Sequence, residues 1–159
     1  MVVHGKLQSQ NLLILIMENK FNIQSTTPLI TSDCVIFSNK KVLLIKRKFA
    51  PYKNCWALPG GFVENNESTE QACVRELHEE TTVKVKTNEL TLLGVYSEPG
   101  RDPRGPIVTV AYFLEKKINN FKARDDACDI NFFDNWKKLD LAFDHAKIIT
   151  DAERILKGS

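Results

Sequence analysis

The chain has 159 residues, about the length of one domain. Hydrophobic residues make up 43% and charged residues 26%, which excludes a disordered, collagen-like or coiled-coil chain. The formal net charge is only +2, so we expect no general attraction to nucleic acid or to an anionic membrane. The four cysteines form no CxxC pair, and we therefore expect reduced thiols in a cytoplasmic protein rather than a zinc site.

The N-terminal residues differ in character from the rest of the chain. The longest apolar run, Leu12 to Met17, is too short for a bilayer span of ~20 residues, and no small-residue cleavage site follows it. We therefore predict an N-terminal extension over residues 1–27 and one domain over residues 28–159. Two alternatives remain open for the extension. Met17 is the natural start, or residues 12–16 form an additional strand.

The first predicted elements are strands. Leu29 to Phe37 and Val42 to Ile45 are rich in β-branched and aliphatic residues, and the turn at residues 38–40 predicts that they form a hairpin. Phe49 to Gly61 contains two prolines and ends in a glycine pair, which predicts a loop.

The clearest helix follows this loop. Ser68 is a good N-cap and Gln71 completes a capping box, so the helix is predicted to run to about Thr81. We expect Cys73 and Leu77 to face the core, and His78 to lie at the surface.

The second half of the chain mixes strands with one more helix. Strands are predicted at Leu92 to Tyr96, Ile107 to Leu114 and Asn131 to Phe133, and the segment between the first two is a charged loop. Residues 146–156 predict an amphipathic helix whose apolar side carries Ile148, Ile149, Ala152 and Ile155. Strands mixed with two helices predict an α/β domain.

Acidic residues are concentrated on the first helix. Glu76, Glu79 and Glu80 stand at i, i+3 and i+4, so we expect them to share one face. Carboxylates this close repel one another, and their hard oxygens suit Mg²⁺ or Mn²⁺. Glu67, just before the helix, is a candidate fourth carboxylate, and Arg75 is placed to orient one of them. The alternative is a solvated helix face.

The preceding loop favours the metal site over the solvated face. Gly60 and Gly61 lack side chains, so their backbone can approach a ligand closely. A loop carbonyl beside the helix carboxylates would make half of an octahedral cage, with positions left for water and phosphate oxygens.

Together these residues resemble the Nudix box. The match comprises Gly61, Glu67, the run from Arg75 to Glu80, and Val83, at the family's spacing. The one departure is Thr82, where the family has a glycine that ends the helix, often in a left-handed conformation. The departure puts the local backbone in question more than the acids, because the acids lie upstream.

The resemblance extends over residues 28–157 and is closest to the ADP-ribose pyrophosphatases and the related regulators of NAD metabolism. The segments that carry it are residues 56–63, 99–105, 125–127 and 142–145. It implies a Nudix-type α/β/α sandwich with a mixed β-sheet. It also implies a Mg²⁺-dependent hydrolase of a nucleoside diphosphate derivative, with Mn²⁺ as an alternative metal.

The resemblance also implies roles for the residues of the box. Glu76 and Glu80 would bind Mg²⁺, and Glu79 would be a further ligand or the base for the attacking water. The carbonyl of Gly60 would complete the metal's first shell, and Arg75 would hold a box carboxylate in place.

Substrate binding is predicted outside the helix. Arg101 and Arg104 flank Asp102 in the charged loop, and we expect them to bind the diphosphate; a solvated turn is the alternative. Asp102 or Glu98 is an open candidate for the base. Trp56 is a candidate platform for adenine, or else a structural plug between sheet and helix.

Two further residues stand at the start of the last helix. His145 is expected to be packed rather than to bind ribose or phosphate. Asp144 is expected to cap the helix.

The box does not identify the substrate. We expect ADP-ribose to be split into AMP and ribose 5-phosphate; an oxidised nucleotide, NADH or a sugar nucleotide is the alternative. A non-catalytic ADP-ribose sensor is also possible, but sensors of this kind carry a DNA-binding domain after the Nudix domain, and few residues follow His145. The complete set of acids also argues against a sensor. A small-molecule nucleotide is thus the expected partner, with no nucleic acid or membrane, and a homodimer stays open.

Overall fold

The computed structural model describes residues 27–124 and 126–158. The strands are β1 Leu29–Ser38, β2 Lys41–Arg47, β3 Trp56–Ala57, β4 Gly60–Phe62, β5 Thr91–Tyr96, β6 Ile107–Glu115 and β7 Ala127–Phe133. They form one mixed seven-stranded sheet, in which β3, β2, β1, β6 and β5 are neighbours in that order, while β4 pairs with β1 and β7 with β2. The helices are α1 Thr69–Thr81 and α2 His145–Gly158, with 3₁₀ turns at Thr87–Glu89 and Trp136–Lys138.

The first strand organises the sheet. β1 runs parallel to β6 along nearly its whole length, and it pairs antiparallel with β4 at one end and with β2 at the other. Because alternate residues of a strand point to opposite faces, β1 contributes to two cores. Val35 and Phe37 pack toward α2, whereas Cys34 and Ile36 pack toward α1. The predicted α/β/α sandwich with a mixed sheet is thereby confirmed.

Most of the predicted elements are present, with a few corrections. The predicted loop before α1 contains the short strands β3 and β4, which exist because β2 and β1 offer them pairing partners. The last strand begins at Ala127 rather than Asn131, since it pairs with β2 throughout. In α2, Ile155 is 42% exposed and lies outside the buried stripe.

The helix that carries the box is built as its sequence predicts. The Ser68 side chain accepts a hydrogen bond from the backbone N–H of Gln71, and the Gln71 side chain accepts one from the N–H of Ser68. Cys73 and Leu77 are buried, as expected. His78 is half-buried rather than exposed, and its Nδ1 finds no hydrogen-bond partner in the described residues.

Thr82, which stands where the box pattern has glycine, lies at the end of α1. Thr82 has φ 63° and ψ −1°, the left-handed conformation, and its N–H donates to the carbonyl of His78. The helix therefore ends in the way that normally requires glycine, with a β-branched residue in its place.

Within residues 27–124 and 126–158, no helix is both long and apolar enough to cross a membrane. The alternatives for the N-terminal extension, a start at Met17 or a strand at residues 12–16, lie outside the described residues.

Candidate active site

A cleft of about 320 Å³ opens beside the glycine pair that precedes α1. This volume lies in the range of small-molecule sites. Its walls come from β1, the end of β2, β4, α1, the loop between β5 and β6, and the segment that leads into α2. The residues that line it include Asp33, Arg47, Gly60, Gly61, Phe62, Glu76, Glu80, Arg101, Asp102, Arg104, Phe143 and His145.

The acidic wall of the cleft comes from α1. Glu80 is 5% exposed, and its Oε2 accepts a hydrogen bond from the N–H of Gly60 at 3.0 Å. Burial raises the pKa of Glu80 well above its ordinary value, and the charges of Glu76 and Asp33 add to this although the Gly60 hydrogen bond opposes it. Burial likewise raises the pKa of Glu76.

Glu79 is turned away from Glu80. Successive helical residues are ~100° apart, so positions i+3 and i+4 lie on opposite sides of position i. Glu79 does not line the cleft, its side chain is 47% exposed, and it accepts a hydrogen bond from Arg75 at 3.3 Å. Glu79 therefore stands on α1 beside the cleft rather than in it, and its part in catalysis stays a prediction.

Arg75 ties the acidic helix to the chain before it. Its guanidinium donates to both carboxylate oxygens of Glu67, at 2.6 and 3.0 Å, and to the carbonyl of Phe62 at 3.0 Å. It also donates to Glu76 Oε1 at 2.8 Å, so it orients a cleft carboxylate as the resemblance implied. Glu67, expected as a fourth metal carboxylate, is instead a partner of Arg75.

The glycine pair gives the cleft its close-packed floor. A Cβ added at Gly60 would stand 2.1 Å from Asp33 Oδ1, and one added at Gly61 would stand 2.3 Å from Glu76 Oε1. Only a residue without a side chain can bring the backbone this close to the carboxylates.

The donor set fits a hard divalent cation, although it is not converged on one. Oxygens of the kind that Mg²⁺ binds are offered by Glu76, Glu80 and the backbone of Gly60. Among the described residues, the buried carboxyl group of Glu80 has no cationic partner within 4.0 Å. In residues 27–124 and 126–158, no three Asp, Glu, His or Cys side chains already stand together as metal ligands.

Two arginines of the loop between β5 and β6 also line the cleft. The side chain of Arg101 is only 4% exposed, so it does not belong to a solvated turn, and it donates to both carboxylate oxygens of Asp144, at 2.5 and 2.9 Å. It also donates to Thr109 at 2.8 Å. Asp144, expected as the N-cap of α2, is the acceptor of this ion pair. Arg101 thus clamps its loop to the start of α2, and its binding of substrate stays a prediction.

Arg104 is the more accessible of the two arginines. Its side chain is 38% exposed, whereas that of its partner Asp102 is 2% exposed. Burial would raise the pKa of Asp102, but the hydrogen bonds from Arg104 outweigh burial and lower it. An ionised Asp102 held by the backbone N–H and two guanidinium N–H groups of Arg104 is a poor base. Glu98, the other candidate base, is exposed and does not line the cleft.

A buried dyad that the sequence did not suggest stands at the bottom of the cleft. His145 Nδ1 accepts a hydrogen bond from the N–H of Leu58 at 2.9 Å, and its Nε2 lies 3.6 Å from Asp33 Oδ2. Burial lowers the pKa of His145 to about 3, so the ring is neutral with its proton on Nε2. Burial raises the pKa of Asp33 to about 7. His145 is packed, as expected, and a carboxylate inside an apolar strand is the signal that could have pointed to Asp33.

The aromatic groups of the cleft also differ from those expected. Trp56 does not line the cleft; it packs edge-on against Phe133 at a centroid distance of 4.6 Å, as part of the α2-side core. This position matches the structural plug rather than the adenine platform. The phenyl rings that do line the cleft are those of Phe49, Phe62 and Phe143.

The sandwich and its cleft define a class of protein, and comparison with known families identifies it. A model of the NUDIX domain family matches residues 27–154. The chain therefore belongs to the NUDIX domain family, which confirms the resemblance seen in the box. Members of this family generally use divalent metals.

Two curated relatives are similar over most of the chain. The ADP-ribose pyrophosphatase of Methanocaldococcus jannaschii is 48% identical over 131 residues, which cover 82% of this chain and 76% of that protein. The ADPR responsive transcriptional repressor NtrR of Acinetobacter baylyi is 38% identical over 138 residues, or 79% of this chain and 53% of the repressor. The chain thus spans about half of the repressor's length.

Solved structures agree with this assignment. The NUDIX domain of Shewanella oneidensis NrtR, complexed with ADP ribose, superposes with a TM-score of 0.76 at 30% identity, covering 88% of this chain and 97% of that one. A Francisella tularensis NMN adenylyltransferase/ADP ribose pyrophosphatase, complexed with AMP and a Mn ion, gives 0.75 at 29% identity, covering 94% of this chain and 48% of that one.

Proposed function

We propose that this protein is a Mg²⁺-dependent Nudix hydrolase that splits ADP-ribose with one water molecule into AMP and ribose 5-phosphate. The observation that carries the proposal is that carboxylates and arginines line the same cleft. Glu76 and Glu80 line it from α1, and Arg101 and Arg104 line it from the loop between β5 and β6. A nucleoside diphosphate needs both, since its charge must be balanced by a cation and by fixed positive groups. The similarity to an ADP-ribose pyrophosphatase supports the choice of substrate.

In this proposal Glu76, Glu80 and the Gly60 carbonyl hold the metal. When bound, the metal neutralises charge on the diphosphate and lowers the pKa of a bound water. Arg75 keeps the Glu76 carboxylate oriented through the hydrogen bond at 2.8 Å. Glu79 is a further candidate ligand or base, and it would have to exchange its contact with Arg75 for that role.

The other side of the cleft would bind the substrate. Arg104, with its exposed guanidinium, would contact the diphosphate, while Asp102 fixes it in place. Arg101 would act mainly by clamping the loop through Asp144. The packing of Trp56 against Phe133 leaves Phe62 and Phe143 as better candidates to contact the adenine.

Chromatography of products from ADP-ribose and the purified protein tests the proposal. We expect AMP and ribose 5-phosphate in Mg²⁺ and none in EDTA. Glu80→Gln keeps the size of the side chain but removes its charge, and it should lower turnover by several orders of magnitude with the fold intact. Glu70→Gln, on the same helix but outside the cleft, is the matched control and should retain activity. Activity in EDTA equal to that in Mg²⁺ would refute the metal site.

The same assay separates the alternatives. NADH, a sugar nucleotide and an oxidised nucleotide are tested beside ADP-ribose, and a higher kcat/KM for one of them would replace ADP-ribose as the substrate. Similarity to the Acinetobacter repressor favours one second candidate, a sensor. Tight binding of ADP-ribose without turnover, in wild-type protein supplied with Mg²⁺, would favour the sensor.

A further inference from the structure

The ring of Phe143 holds two arginines at the mouth of the cleft. The guanidinium carbon of Arg47 lies 5.1 Å from the ring centroid and that of Arg104 lies 5.3 Å from it. Arg104 is also 5.1 Å from the ring of Phe62. Cation–π contacts at these distances are attractive, so the rings fix the orientation of both cations. All four side chains line the cleft.

The backbone of Phe143 is held in a conformation that bulky residues rarely adopt. Its φ is 52°, in the left-handed region, which is an outlier for an aromatic residue. The neighbours impose it: the N–H of Ala142 donates to the carbonyl of Trp56, Asp144 is clamped by Arg101, and His145 is anchored to Leu58. Strain of this kind, fixed by its surroundings, is concentrated at functional sites.

Arg47 brings a further positive charge to the cleft, and among the described residues it has no close carboxylate partner. Arg101 and Arg104 each have a carboxylate partner, Asp144 and Asp102. Among the described residues, Arg47 has no carboxylate within 4.0 Å, and its Nε donates instead to the carbonyl of Pro51 at 2.8 Å. Burial, followed by the nearby charge of Arg104, lowers the pKa of Arg47, although it stays protonated at neutral pH.

Two like charges held together on one ring favour an anion between them. We propose that Arg47 and Arg104 form the diphosphate-binding wall of the cleft, and that Phe143 is the positioning residue that holds their guanidinium groups toward the substrate. Planar guanidinium groups bind phosphate oxygens through paired N–H donors, which an ammonium cannot do. The inference rests on the proposed function and adds Arg47 and Phe143 to its substrate site.

Binding experiments test this wall without requiring turnover. ADP and adenosine are titrated calorimetrically into the protein in Mg²⁺, with the integrity of ADP checked by chromatography. The two probes differ only in the diphosphate. Arg47→Met should weaken ADP binding about 10- to 100-fold, the effect of losing a charge-assisted hydrogen bond, and leave adenosine binding unchanged. Arg47→Lys keeps the charge but not the planar fork and should fall between.

Variants of Phe143 test its positioning role. Phe143→Leu keeps an apolar side chain but removes the ring, so it should weaken ADP binding by about 5- to 30-fold, in line with the loss of two cation–π contacts. Phe143→Tyr keeps an aromatic ring and should restore wild-type affinity for ADP. A merely structural effect of Phe143→Leu would instead weaken the binding of ADP and adenosine alike. Lys46→Met is the matched control: Lys46 precedes Arg47 and lies over Trp56 at 5.8 Å, outside the cleft.

The possible results distinguish this inference from the proposed function. Unchanged ADP affinity in Arg47→Met, or equal losses for ADP and adenosine, would overturn the wall. Unchanged ADP affinity in a folded Phe143→Leu would overturn the positioning role. A wild-type protein that releases no AMP from ADP-ribose would refute the proposed function, yet the ADP titrations would still decide on the wall.

Discussion

The left-handed residue at the end of α1 allows a stability prediction whose sign follows directly from the geometry. Thr82 has φ 63° and is half-buried, and its N–H caps the helix at His78. Thr82→Gly should stabilise the protein, because glycine adopts this conformation without a steric penalty. The acids of the box lie upstream, so the Mg²⁺ dependence of activity should hardly change.

The magnitude is the difference between two terms. A residue with a Cβ costs roughly 1–2 kcal/mol in the left-handed region. Glycine in turn gives the unfolded chain more freedom, which costs about 0.4–1 kcal/mol. The expected net gain is therefore about 0.5–1 kcal/mol. For a chain of this size, about 2–4 °C per kcal/mol predicts a melting temperature about 1–4 °C higher.

Urea unfolding followed by circular dichroism, with thermal melts, measures this gain, and three variants separate its causes. Thr82→Ala keeps the Cβ, so it should not stabilise. Thr82→Asn should give part of the gain, since asparagine tolerates the left-handed region. Thr81→Gly should destabilise, because the buried hydroxyl of Thr81 donates to the carbonyl of Leu77 and accepts from the N–H of Val83. A lower melting temperature for Thr82→Gly than for wild type would refute the strain argument.

Three other predictions concern the cleft. Arg101→Ala should lower the free energy of unfolding by about 1.5–3 kcal/mol in urea titrations, because it leaves the half-buried carboxylate of Asp144 unpaired. Adding Asp144→Ala should recover part of that loss, and additive losses would contradict the pairing. Gly61→Ala should lower kcat/KM on the order of 10²-fold, because the added Cβ would stand 2.3 Å from Glu76 Oε1. The control Gly94→Ala should leave kcat/KM unchanged, because the nearest atom to its added Cβ is 3.8 Å away. Burial raises the pKa of Asp33 from 3.8 to about 7, so the contribution of this group to folding stability is full below pH ~4 and is lost as the pH rises through 7. The metal-free Asp33→Asn variant should therefore gain stability relative to wild type over that interval. A difference in unfolding free energy between the two proteins that does not vary with pH would refute the assignment.

The sequence alone determined the elements whose causes are local. The hairpin, the capping box at Ser68 and Gln71, and the amphipathic α2 depend on periodicity and on side chains a few residues apart, and all of them are present. The acids of α1 and the glycine pair could be recognised as a Nudix box for the same reason. The same pattern put the backbone at Thr82 in question, and the structure shows that Thr82 takes the left-handed exit.

The tertiary structure decided which of these residues face one another. Arg101 meets Asp144 and Leu58 meets His145 across long stretches of chain, so their pairing depends on how the strands align in the sheet. Arg47 and Phe143 lie at distant points of the sequence, and only Phe143 falls in a segment that carries the family resemblance. Local periodicity places Glu79 near Glu80, but the packing of α1 against β1 and β4 decides which carboxylate enters the cleft. Side-chain chemistry could therefore be predicted from the sequence, whereas the partners that give each group its role appear only when the sheet brings distant segments together.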